Sequence, residues 1–158
     1  MDIQIVPMQS SADMDGKGYV HYQAWMEAYT GLIDQQHLDA RSLENCIQKA
    51  HQYPQNTLVA KDGDRVVGFA CYGAYRDDSL QNAGEIYAIY ILRDYYGKCV
   101  GYRLMNAAME QLRGYDQVAL WVLKGNARAL RFYERYGFRL DGTQAEIRIG
   151  TELRMLYE

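Results

Sequence analysis

The stretch "EIYAIYIL", Glu85 to Leu92, constrains the fold more than any other. It is rich in β-branched and aromatic residues and apolar on both faces, so it reads as a central strand. A few residues later Val100, Leu104, Ala107, Ala108 and Leu112 trace one helical face. The joint between them, "LRDYYGKCVGYRL", holds Gly97, Lys98 and Gly101. A strand that feeds straight into a helix leaves the first turn's N–H groups without partners. Their partial positive charge suits a phosphate. Gly97 and Gly101 permit close approach and unusual dihedrals, and Lys98 and Arg103 add charge. On spacing alone, a diphosphate cradle and an ordinary strand–helix turn fit equally well.

The rest of the chain reads around that joint. "IQIVPM" is an opening strand and "SSADMDGKG" a polar loop. Helical spacing runs from Val20 to Tyr29, and a second helix is expected from about Asp34 to His51. "TLVAK" and "RVVGFACYGAY", joined by "DGD", form a β-hairpin. "QVALWVL" is another buried strand. "GNARALRFYERYG" is a helix with Asn126 as N-cap and Gly137 as stop. "FRLDG" and "TELRMLYE" close the chain as strands. The expected fold is one α/β (α+β) domain over residues 1–158. It has a mixed, mostly antiparallel twisted sheet of about six to seven strands and about four helices.

Composition excludes several functions. A net charge of -3 offers no basic field for nucleic acid. No apolar run spans a bilayer, so no membrane partner is expected. "MDIQIVPMQS" has no basic segment followed by an apolar one, so no secretion signal is expected. Cys46, Cys71 and Cys99 are odd in number and widely spaced, which argues against a disulfide framework or a metal site and suits the cytoplasm. The 15 tyrosines suit a pocket that is partly apolar and partly polar, although most should fill core edges. Neither G-x-x-x-x-G-K-[ST] nor G-x-G-x-x-G is present, which disfavours a nucleotide hydrolase or a dinucleotide dehydrogenase.

"YILRDYYGKCVGYRLMNAAM" resembles the coenzyme-A-binding segment of the GNAT superfamily of N-acetyltransferases, and "LWVLKGNARALRFYERYGF" resembles that family's second signature. The family usually has Gln or Arg, two residues, Gly, one residue, then Gly or Ala. Here those slots hold Tyr96, Cys99 and Gly101. The resemblance implies acetyl-CoA as cofactor. It implies that Tyr96, Gly97, Lys98, Cys99, Val100, Gly101 and Tyr102 offer amides to the diphosphate. It further implies that Ile89 and Ile91 pair their backbone with the pantetheine arm. Asn126 would reach the cofactor, a role that its N-cap position allows. Tyr133 would sit by the sulfur and protonate or stabilise the departing thiolate.

An alkyl ammonium with a pKa of ~10 must lose a proton before it attacks. Glu85 occupies a position where the family often keeps the base, and a solvated strand-end charge is the other reading. Trp25, Glu27 and Tyr29 would wall the acceptor pocket, with Glu27, Asp77, Asp78 and Glu85 drawing in a cation. Helix packing for Trp25 and solvent for the acids fit equally. The implied reaction is transfer of acetyl to a small-molecule primary amine, a polyamine among the options, by direct attack. A protein N-terminus or lysine as acceptor, a non-catalytic acyl-CoA-binding module, and a homodimer all stay open.

Overall fold

Gly63, at φ +61, turns the chain between two apolar runs, as the "DGD" signal requires. The computed structural model describes all of residues 1–158. Its strands are β1 (Ile3–Pro7), β2 (Thr57–Asp62), β3 (Arg65–Ala74), β4 (Ala83–Ile91), β5 (Gln117–Leu123), β6 (Arg139–Ile147) and β7 (Gly150–Tyr157). Its helices are α1 (Ser11–Tyr29), α2 (Gln35–Asp39), α3 (Leu43–Gln52), α4 (Val100–Gln111) and α5 (Ala127–Tyr136). One seven-stranded sheet runs in the order β1-β2-β3-β4-β5-β7-β6. All neighbours are antiparallel except β4 and β5, which α4 connects as a crossover. The mixed, mostly antiparallel sheet is the fold class that the sequence implies.

Neighbouring strand residues point to opposite faces, and this places the helices. Gly68 faces Leu104 of α4, whereas Phe69 meets the His21 ring of α1. The two helices therefore cover opposite faces of β3. Val20 and Ala24 of α1, and Leu104, Met105 and Ala108 of α4, bury themselves against Val59, Val67, Phe69 and Ile86. No helix is long and apolar enough to cross a membrane.

Two expectations are corrected. "SSADMDGKG", read as a loop, is mostly the first half of α1. Ser10 caps it, accepting from the Asp13 amide at 3.0 Å. Its glycines mark close packing rather than flexibility. A Cβ at Gly18 would lie 2.5 Å from Ile47 Cα, and one at Gly16 would lie 2.7 Å from Val66 Cγ2. The single helix expected from Asp34 to His51 is two helices, α2 and α3. Ser42 restarts the chain as N-cap of α3, accepting from the Asn45 amide at 2.9 Å. The break lets Arg41 turn onto the Trp25 ring, 3.8 Å from its centroid.

Candidate active site

The parallel pairing of β4 with β5 lasts only from Ala83–Gln117 to Ile86–Leu120. Past that point β5 follows β7, pairing Trp121 with Arg154 and Leu123 with Glu152, and the two strands part. Leu92 donates to Val67 O at 3.0 Å, so alternate residues of β4 turn their backbone groups to β3. Ile89 and Ile91 are the intervening residues. Their amides and carbonyls face the gap, where β5 offers no partner. The gap opens into a cleft of about 820 Å³ with a mostly apolar lining.

One end of the cleft is the joint at the head of α4. Tyr95 N donates to Leu92 O at 2.9 Å and Tyr96 N to Arg93 O at 3.0 Å, which folds the chain tightly. Gly97 (φ +74) and Cys99 (φ +64) are both left-handed, and α4 starts at Val100. Gly97, Cys99, Val100, Gly101 and Tyr102 line the cleft, so the unpaired first-turn amides of α4 stand at its wall. Gly101 serves packing: a Cβ there would lie 2.8 Å from Ile91 Cδ1 and 3.2 Å from Phe132 Cε1. Lys98 does not line the cleft, and its ammonium sits 5.5 Å from the Tyr95 ring centre. Tyr95 in turn donates to Asp62 Oδ2 at 2.7 Å, tying the joint to β2.

Arg128 of α5 stacks 3.3 Å above the Tyr96 ring, and Arg131 and Arg135 of the same helix line the cleft together with Arg93 of the joint, whose guanidinium donates to Glu27 O. Amides, left-handed turns and the three arginines of α5 together suit a diphosphate. Sequence reading missed these arginines. Their spacing of three and four residues on one helix was the available signal.

Cys99 carries a side chain in a conformation that costs an L-residue ~1–2 kcal/mol. Part of that cost returns as unfolded-state entropy when glycine is introduced. Cys99→Gly should therefore raise Tm by ~2 °C in a scanning calorimeter. A lower Tm would show that the turn is not strained.

Asn126, which also lines the cleft, caps α5, its Oδ1 accepting from the Ala129 amide at 3.3 Å, while its amide nitrogen is unused. Tyr133 lines the cleft with a hydroxyl that makes no hydrogen bond to the protein. Burial raises its pKa well above the ordinary phenol value, and the neighbouring Tyr90 phenol adds to the effect. The group is thus protonated at neutral pH. Beside it Tyr29 and Tyr90 share a hydrogen bond of 3.1 Å.

Other sequence candidates are placed less directly. Glu85 is fully buried and outside the lining. Arg76 grips it as a fork, with Nη2 to Oε2 at 2.7 Å, Nε to Oε2 at 3.1 Å, and the Arg76 amide to Oε1 at 3.1 Å. Trp25 lies behind the cleft and donates through Nε1 to Tyr90 OH at 3.1 Å. Glu27 does line the cleft, with Oε1 accepting from the Arg93 amide at 2.9 Å. Asp77 and Asp78 stay outside; Asp77 accepts from the Ser79 amide at 2.8 Å.

Tyr90 was missed for a definable reason. Strict alternation puts it on the opposite face from Glu85. The pairing of β3 with β4 slips between Cys71 and Tyr72, leaving Tyr87 as an extra residue. Gly84 faces Leu112 and Tyr115, and Ile91 faces Gly101 of α4, so Glu85 and Tyr90 both turn to the α1 face. Tyr90 there stacks on His21, with ring centres 5.9 Å apart. Desolvation lowers the His21 pKa to about 3, so that ring is neutral.

A family model described as the acetyltransferase (GNAT) family matches residues 19–138. A probable N-acetyltransferase of Mycobacterium tuberculosis is 27% identical over 130 residues, which are 78% of this chain and 72% of that protein. A mycothiol acetyltransferase of Acidimicrobium ferrooxidans is 31% identical over 124 residues, 75% of this chain and 40% of that protein. Among solved structures, the paia N-acetyltransferase of Thermoplasma acidophilum in complex with coenzyme A matches with a TM-score of 0.77 at 21% identity. That match covers 100% of this chain and 99% of that one. Salmonella typhimurium yncA with its cofactor acetyl-CoA matches at 0.73 and 17% identity, over 100% and 94% of the two chains. At such identities these two speak for the fold. The family match runs from α1 through the joint at α4 to just past α5 and takes in all of the cleft lining; the chain belongs to the GNAT family of acetyl-CoA-dependent N-acetyltransferases.

Proposed function

We propose that this protein moves acetyl from acetyl-CoA to the nitrogen of a small primary amine by direct attack in a ternary complex. The observation that carries this reading is the single cleft that joins the α4 amides and the α5 arginines to an unengaged, protonated Tyr133. The diphosphate would rest on residues 96–102, with Arg128 supplying the charge that Tyr96 lacks. The backbone of Ile89 and Ile91 would receive the pantetheine arm, and the free amide of Asn126 would meet it from α5. Tyr133 would donate its proton, or a hydrogen bond, to the departing sulfur; where the proton is given up, the second proton that nitrogen loses as the amide forms would restore the phenol.

Glu85 enters this reading as a fixed charge near the cleft rather than as a group touching the amine. Its fork with Arg76 engages both of its oxygens. The ammonium proton would leave through water, which the polar part of the lining can hold.

A small acceptor is favoured over a protein substrate. Tyr29 and Leu123 line the cleft and pack with Leu32, Leu38 and Ile149, which walls it at that end. A polycationic acceptor is disfavoured, because Glu27 is the sole acid in the lining. A purely binding role leaves the free Tyr133 hydroxyl unexplained.

A thiol-release assay with acetyl-CoA against monoamines, polyamines and peptides tests the reading. Release with a small monoamine, and none with peptides, is expected. Bound coenzyme A with no release from any amine would overturn it in favour of a binding module.

A further inference from the structure

Three aromatic side chains near Tyr133 hold more protons than they can use among themselves. Trp25 Nε1 donates to Tyr90 OH at 3.1 Å, and an indole can only donate. Tyr90 OH and Tyr29 OH share one further bond of 3.1 Å. That makes three donor protons and two bonds, and neither hydroxyl has another protein partner. Whichever way the phenols point, one O–H is left over. Both residues line the cleft, and Tyr29 is only 8% exposed, so a ligand in the cleft can accept this surplus proton.

The surroundings sharpen that donor. Arg41 lies 3.8 Å from the centre of the Trp25 ring, and a cation on the ring face makes the indole N–H a stronger donor. Trp25 in turn polarises the Tyr90 hydroxyl along the chain. A second unused donor belongs to the same cleft. Trp121 lines it and buries Nε1 without any partner. Buried donors that lack acceptors are costly, and a ligand that brings acceptors removes the cost.

The faces of the sheet decide which ligand is read. The joint at the head of α4 and its amides lie on the α4 face, and Ile89 and Ile91 point their backbone into the gap. Tyr90 stands on the opposite face, against α1, together with Tyr29 and Glu27. A cofactor entering from the α4 side leaves the α1 side to the acceptor.

We propose that the acceptor is a small primary amine with an oxygen hydrogen-bond acceptor close to its nitrogen, as in amino alcohols, single amino acids and their simple amides, and that this oxygen takes the spare proton of the Trp25–Tyr90–Tyr29 chain. This deepens the acetyl-transfer reading and rests on it for the identity of the cofactor. Tyr29 and Tyr90 are then specificity residues, and Trp25 and Arg41 position them. An alkylamine or an alkyl polyamine would leave the donor unpaired and would be rejected on that ground.

Ethanolamine and propylamine are near-isosteric probes that differ in that oxygen. The chain has two tryptophans, so its indole N–H spectrum has two cross-peaks, assignable with Trp25→Phe. With the protein saturated with coenzyme A, ethanolamine should move the Trp25 cross-peak and propylamine should leave it in place. In thiol release, kcat/KM should favour ethanolamine by at least ~10-fold, and the double variant Tyr29→Phe/Tyr90→Phe should bring the ratio close to one.

A Trp25 cross-peak that neither amine moves would overturn the proposal, even if the double variant does not fold. So would a ratio near one in the unaltered protein. A full shift caused by acetyl-CoA alone would assign the donor to the thioester oxygen and also overturn it. The two readings fail separately. Transfer to both amines without preference ends this proposal alone, whereas a Trp25 shift selective for ethanolamine without any transfer ends the acetyl-transfer reading alone.

Discussion

Tyr133→Phe should lower kcat by ~10²- to 10³-fold, the usual contribution of a positioned proton donor. That is about 3–4 kcal/mol of barrier. The change removes one hydroxyl from a ring that otherwise keeps its packing against Phe132 and Phe138. The hydroxyl has no protein partner, so no native hydrogen bond is lost and Tm should hold or rise slightly. KM for acetyl-CoA should stay within about twofold, because an interaction made only as the thiolate departs lowers kcat without changing ground-state binding. The raised pKa keeps the phenol protonated throughout the neutral range. The rate should therefore climb with pH as the amine loses its proton, with no falling limb from Tyr133 below about pH 10. Steady-state kinetics on the two proteins decide the matter. A kcat within twofold of the unaltered enzyme would remove Tyr133 from the chemistry.

The largest effect on stability should come from Arg76→Ala. Glu85 is fully buried, and the substitution strips three guanidinium bonds from it, leaving only the backbone amide of residue 76. An uncompensated buried charge costs ~3–5 kcal/mol. Arg76 is itself 44% exposed, so water can fill part of its place and the low end of that range applies. About 3 kcal/mol corresponds to a fall in Tm of ~6–12 °C for a chain of this size. Arg76 also reaches Glu152 Oε1 at 3.2 Å and lies 5.2 Å from the Trp121 ring centre, so its loss loosens the cleft wall as well. Adding Glu85→Gln should restore much of the loss, because a neutral amide tolerates burial better than a lone carboxylate. Thermal unfolding of the two single variants and the double gives the coupling. Additive effects would mean that the fork is not a functioning ion pair.

These predictions draw on features that were unequally readable in the amino-acid sequence. The caps Asn126 and Gly137 and the turn at Gly63 could be read directly, because each acts within a few residues of itself. Alternation and helical period placed β4, α4 and α5 for the same reason. Where the reading failed, a distant partner overrode a local preference. Gly16 and Gly18 look like loop residues until Ile47 and Val66 are brought against them, where any larger side chain would collide. Arg41 looks like a surface cation until the break between α2 and α3 lays it on Trp25.

The sequence by itself determined the order of strands and helices, apart from the break between α2 and α3, and the presence of a glycine-bearing strand–helix joint, because dihedral preference, capping and hydrophobic period are local properties. Tertiary structure alone decided what the cleft contains. Where β5 leaves β4 depends on its pairing with β7, and which side chains share a face depends on the slip at Tyr87. Whether Glu85 is free or held depends on Arg76, nine residues away across a loop. Each of these follows from contacts between segments that meet only once the sheet has formed. That is the physical reason why Tyr90, Arg128 and the Trp25–Tyr90–Tyr29 chain come into view only in the folded protein.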